Sequence, residues 1–137
     1  MEKAWPIVLR EKDGAIEVLA FQHPQAGKQF VKGTIELDED PVAAAARELR
    51  EESGIIVRDP PRLIGEHIST VTGDRWMFFI CETAGLPEQW THKTEDDFGH
   101  EFSFFWHPID RAPDQEWHPM FHEAFEFLVP LCRFTRQ

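Results

Sequence analysis

Glu48, Glu51 and Glu52 stand three and one residues apart, and that spacing decides what chemistry they could do. On a helix, positions three and four apart are surface neighbours, so the three carboxylates share one sector. Like charges so placed repel, and a position in the C-terminal half of a helix adds an unfavourable interaction with its dipole. A solvated face tolerates this at a few tenths of a kcal/mol per pair, about 0.2–0.5. A divalent cation would relieve it, because hard cations take oxygen ligands and commonly use carboxylates together with substrate phosphates. Gly33, Glu39, Arg47 and Gly54 surround the cluster, so the acids belong to a larger pattern.

The element that must hold them is a helix over about 41–53. Asp40 can accept orphan backbone N–H bonds, and Pro41 fills the first helical position at no loss of a needed donor. Ala43 to Ala46 propagate the helix. Gly54 is suited to the left-handed stop, with Ile55 as its apolar contact. Upstream, residues 4–10 and 15–21 read as a hairpin around Lys12-Asp13-Gly14, and residues 29–32 as a short strand delivering Gly33. Downstream, residues 63–70 and 75–82 read as a strand pair. The second of these is apolar on both faces and therefore central. Residues 84–99 lack a regular pattern, residues 101–107 alternate as a strand, and a helix over 119–129 is expected to break near Pro130. The sum is an α/β fold with a mixed sheet, one helix within the order and one at the C-terminus, forming one domain over 1–137.

Gly33, five residues, Glu39, seven residues and then Arg47-Glu48-Leu49-Arg50-Glu51-Glu52-Ser53-Gly54-Ile55 resembles the Nudix box, G-x5-E-x7-R-E-U-x-E-E-x-G-U, with U a bulky aliphatic residue; every specified position matches. The resemblance implies an α/β/α sandwich and a hydrolase that cleaves the diphosphate bond of a nucleoside diphosphate linked to another moiety. It also implies Mg²⁺ or Mn²⁺ held by Glu48, Glu51 and Glu52, with the backbone carbonyl near Gly33, and one of these acids as the base. Arg47 and Glu39 are then a charged pair that orients the carboxylates. The opposing reading, from another functional class, is a Nudix-like module that binds or senses a nucleotide and has lost catalysis. The intact acids favour the enzyme, since a pure binder has no need of a self-repelling cluster.

Outside the box, Glu101 begins a strand beside an acidic segment. An acid from this part of the fold reaches the metals in several Nudix enzymes; Glu95, Asp96 and Asp97 compete for that role. Lys32 precedes Gly33 and could neutralise a substrate phosphate as a point charge. Val31-Lys32-Gly33 is similar to the Pro-Lys-Gly entry of some Nudix members, departing at Val31, and Asp38 stands where many have Gly. His118 and His122, four apart, lack a third metal ligand. Trp90, Trp106 and Phe21 could stack on a base, and each fits core or loop packing as well.

The chain has 14 Lys and Arg against 25 Asp and Glu, a formal charge of −11, which argues against long nucleic acids because these need a basic surface. A small phosphorylated substrate is not excluded, since a metal inverts the local charge. Hydrophobic residues make up 42%, with twelve Phe and five Trp, enough for a core without staples. Cys81 and Cys132 form no C-x-x-C pattern and read as buried thiols of a reducing compartment. With no apolar leader and no run of about 18 apolar residues, a cytoplasmic protein without a membrane partner is expected, as a monomer or homodimer.

Overall fold

The computed structural model describes residues 1–95 and 99–135. Residues 4–10, expected as one strand, divide at Val8 into Glu2–Ile7 (β1) and Leu9–Lys12 (β2), which lie in different sheets. The division follows from successive carbonyls: Ile7 O accepts from Cys81 N and Val8 O from Leu19 N, at 2.9 and 3.0 Å. One apolar run thus enters two hydrogen-bond ladders.

The remaining strands are Ala15–His23 (β3), Gly27–Gln29 (β4), Gly33–Thr34 (β5), Arg62–Ile68 (β6), Arg75–Ile80 (β7), Trp90–Lys93 (β8) and Glu101–Pro108 (β9); the helices are Pro41–Ser53 (α1) and Pro119–Thr135 (α2). A four-stranded sheet runs β5-β1-β7-β6, with β1 parallel to β7 and the other pairs antiparallel. The second sheet runs β2-β3-β9-β8, all antiparallel, with β4 also on β3. The fold is therefore α/β with mixed pairing and a C-terminal helix. β7 is central and buried, as its double-sided apolar pattern requires.

Alternation along the strands makes the two helix-facing layers. Trp5, Ile7, Trp76, Phe78 and Ile80 face α2 through Phe121, Ala124, Phe125 and Leu128. Ala4 and Phe79 face α1 through Ala44 and Ala45, small residues that let the helix sit close to the sheet. Leu49 and Ile55 pack with Leu19, Phe21, Phe102 and Phe104 of the second sheet. Leu49 is wholly buried, and truncating such a leucine costs about 2–5 kcal/mol. The catalytic candidates are therefore mounted on an anchored helix.

Three details depart from the sequence expectation. β8 forms within 84–99, because Trp90 of this strand stacks on Phe104 at 5.0 Å and gains a partner that pattern alone hides. Of the short strand expected at 29–32 only Gln29 lies in a strand, as the last residue of β4, and β5 starts at Gly33. α2 continues through Pro130 to Thr135, since Pro130 and Glu126 lie on the exposed side, where water can take the carbonyl the proline leaves unbonded. No helix among the described residues is long and apolar enough to cross a membrane.

Candidate active site

Asp40 accepts from Val42 N at 3.0 Å and Gly54 closes α1 at φ 82°, with Gly54 N donating to Arg50 O at 2.9 Å. The start, stop and length expected from sequence are those found. The helix then presents Arg47, Glu48, Glu51 and Glu52 toward the strand that carries Gly33.

Arg47 is the hub. Its Nε and Nη2 donate to the two oxygens of Glu39 at 2.8 and 2.9 Å, the bidentate fork that suits a carboxylate. Nη1 donates to Glu48 Oε1 at 2.7 Å and Glu51 Oε2 at 3.2 Å, while Nη2 also donates to Thr34 O at 2.9 Å. One side chain thereby ties the 36–39 turn, β5 and the helix acids together. These bonds hold the Glu39 carboxyl below the usual carboxylate range and raise Arg47 above the ordinary arginine value. Glu39 also accepts from Glu36 N at 2.9 Å. The turn places Asp38 at φ 64°, the left-handed region, where an Asp is tolerated and a Gly is at ease.

Glu48 is only 7% exposed. Burial pushes its carboxyl above the usual range, and hydrogen bonds involving Glu52 and Arg47 pull the other way. A Cβ added at Gly33 would fall inside the Glu48 carboxylate. Glycine is needed there because the acid occupies the space a side chain would fill. Lys32 lies close enough for its charge to act on Glu52 and Glu48; burial lowers its ammonium below the ordinary lysine value, with the two glutamates opposing that shift. Its Nζ lies 6.0 Å from the Phe121 ring centre.

The structure thus brings together Gly33, Lys32, Glu39, Arg47, Glu48, Glu51 and Glu52. Glu101 is exposed at the start of β9, paired in register with Lys93. Among the described residues of this region, Glu95 touches α1, accepting from Arg50 Nη1 at 2.7 Å. Sequence reading placed Glu95 as a competitor of Glu101 and gave Arg50 no part. No local signal marks this pair, whose partners are 45 positions apart. Asp96 and Asp97 lie outside the described residues.

The other candidates have structural work. His118 caps α2, its Nδ1 accepting from Met120 N at 3.1 Å, and His122 Nε2 is 2.9 Å from Asp114 O. Trp90 Nε1 donates to Ser53 O, Trp106 lies under Arg10, and Phe21 stacks on Phe102 at 4.2 Å.

Among the described residues no three His, Cys, Asp or Glu side chains are gathered as a ready-made metal site. The donor set nevertheless fits a hard cation: a buried carboxylate in a glycine-made recess, a second one hydrogen-bonded with it, and a third held by the same arginine.

The family model described as NUDIX domain matches residues 2–126. An RNA pyrophosphohydrolase of Xanthomonas campestris pv. campestris is 28% identical, over 93% of this chain and 70% of its own length. Among solved structures, the NUDIX domain of Shewanella oneidensis NrtR, complexed with ADP ribose, matches at a TM-score of 0.69 and 11% identity, covering 100% of this chain and 88% of that one. A C. elegans Ap4A hydrolase matches at 0.61 and 17% identity, covering 98% and 95%. At such identities the two structures speak for the fold alone.

Proposed function

The chain belongs to the NUDIX family, and we propose that it is a divalent-metal-dependent hydrolase cleaving the diphosphate bond of a nucleoside diphosphate linked to another moiety. The observation that carries this reading is the Gly33 recess holding the Glu48 carboxylate, with Arg47 binding Glu39, Glu48 and Glu51 at once.

In this reading Glu48, Glu51 and Glu52, with the carbonyl of Gly33, hold Mg²⁺ or Mn²⁺. A bound cation supplies neutralising charge for the phosphoryl oxygens and a lowered pKa for water. Arg47 fixes the rotamers of Glu48 and Glu51, so the acids need not reorganise as substrate arrives. Glu51 or Glu52 accepts the proton of the attacking water. Its oxygen forms the new P–O bond while the bridging P–O bond breaks, and the leaving oxygen departs with the second phosphoryl group. Lys32 offsets phosphate charge from beside the recess.

The test is a panel of dinucleoside polyphosphates, nucleotide sugars, ADP-ribose, nucleoside triphosphates and coenzyme diphosphates assayed with Mg²⁺, with products identified. Two phosphorylated products, or a nucleoside monophosphate plus pyrophosphate from a triphosphate, are expected. Release of phosphate from a simple monoester would overturn the mechanism, and binding of the panel without turnover would favour the nucleotide-sensing module instead.

A further inference from the structure

A groove of about 540 Å³ lies at the C-terminal end of α1, where Ser53 and Gly54 face the segment after β7 and strand β8. None of Gly33, Glu39, Arg47, Glu48, Glu51 and Glu52 lines it, so it is separate from the acid cluster. The volume falls within the roughly 300–1,000 Å³ of small-molecule sites.

Three features set the chemistry of an occupant. First, the floor is apolar and fixed. Ile55 is buried, Leu86 packs with the same core cluster, and Trp90 is held by Phe104, stacked on it at 5.0 Å, and by Ser53 O, which accepts from its Nε1 at 3.1 Å. Second, among the described residues that line the groove Arg58 carries the one formal charge, and it makes no ion pair or hydrogen bond with another described residue. On a chain of net charge −11, that is a local reversal of sign. Third, His92 makes no hydrogen bond to another described residue, and its Nε2 is buried without a partner. The ring lies so close to Gly54 that a Cβ added there would sit 2.9 Å from Nδ1. Buried polar atoms are ordinarily paired. Packing alone holds this ring, so no bond opposes a turn about χ2 that gives its N–H to an acceptor entering beside it.

One effect works against an anion here, because the C-terminal end of a helix is negative. Arg50 O is already bonded to Gly54 N at 2.9 Å and Ser53 O to Trp90, which blunts that end. A guanidinium carries a full unit of charge against about half a unit at a helix end, so the cation sets the sign. One cation balances one negative charge, which fits a carboxylate better than a phosphate monoester with its charge of about −1.5 to −2.

We propose that this groove is a second ligand site, taking a carboxylate carried on an aromatic or branched apolar body. Arg58 and His92 donate to the carboxylate, while Ile55, Leu86 and Trp90 receive the body. The claim is independent of the hydrolase reading, since no acid of the cluster takes part in it.

The experiment is an NMR titration of the full chain, without metal, using 3-phenylpropionate, 3-phenylpropionamide and 3-phenylpropylammonium, which share a body and differ in charge. The acid is expected to bind about tenfold or more tightly than either of the others, as a charge-assisted pair with arginine allows, and to shift the amides of residues 54, 58 and 92. Arg58→Gln, at an exposed position, should bring the affinity for the acid down to that for the amide and leave the amide's own affinity unchanged. His92→Phe keeps the apolar contact and should weaken the acid several-fold. Absence of binding by the acid, equal affinities for the three probes, or a preference for the ammonium would overturn the proposal. So would a preference for the acid that survives both variants, or shifts on adding it that are confined to residues 32–52.

Discussion

Arg47 carries more of the site than any of the acids it serves. Its guanidinium reaches Glu39, Glu48, Glu51 and Thr34 O, so removing it takes a donor from three poorly exposed carboxylates and a backbone carbonyl. Breaking a buried ion pair from one side costs about 3–5 kcal/mol, and Arg47 retains some exposure, which lowers that figure. Arg47→Ala is therefore expected to lower the unfolding free energy by about 2–4 kcal/mol in urea titrations. Arg47→Lys should recover less than half, because an ammonium cannot form the bidentate fork with Glu39. An alanine variant within about 0.5 kcal/mol of wild type would show that the pairing is decoration, as many exposed ion pairs are. At this scale much was legible: residue types at fixed offsets named Gly33, Glu39, Arg47 and the three glutamates, and the structure brings them together. The Arg50–Glu95 pair was not, because its partners are 45 positions apart and nothing local marks their meeting.

Between elements, Glu123 does for α2 what Arg47 does for α1. Its carboxylate accepts from Thr70 N at 2.7 Å, Ser69 Oγ at 2.7 Å and Val71 N at 3.3 Å, with His67 Nε2 at 2.8 Å. One helix residue thereby ties down the turn between β6 and β7. Burial pushes this carboxyl upward, but the bonds from Thr70, His67 and Ser69 outweigh it and bring its pKa to about 2. An unfolded glutamate titrates near 4.3. A folded pKa below the unfolded one means stability that is complete above about pH 4.3 and lost as pH falls toward about 2. Glu123→Gln should thus be destabilised at pH 7 and lose less further stability than wild type between pH 5 and pH 3, as read by urea unfolding at each pH. Parallel pH profiles for the two proteins would contradict this. The helices themselves were readable from caps and period. What the sequence concealed was their extent and their partners: α2 passes Pro130 because that face is exposed, and β8 exists because β9 is beside it.

For the whole molecule, the α/β/α layering was legible from alternation and from the box, whereas the split into two sheets was not. The successive carbonyls of Ile7 and Val8 make that split by accepting from Cys81 N, 74 residues away, and Leu19 N, 11 residues away, which no local pattern encodes. The outcome is a negatively charged chain that gathers Glu39, Glu48 and Glu51 around one arginine beside the Gly33 recess. The central claim is that these acids act through a divalent cation on a diphosphate. Its most direct test is steady-state hydrolysis of the best panel substrate by wild type, Glu48→Gln, Glu51→Gln and Glu52→Gln, in Mg²⁺ and in excess EDTA. The account predicts a kcat lower by about a hundredfold or more for each variant, with little activity for any protein in EDTA. Wild-type rates in excess EDTA, or three glutamine variants turning over as fast as the parent, would contradict it.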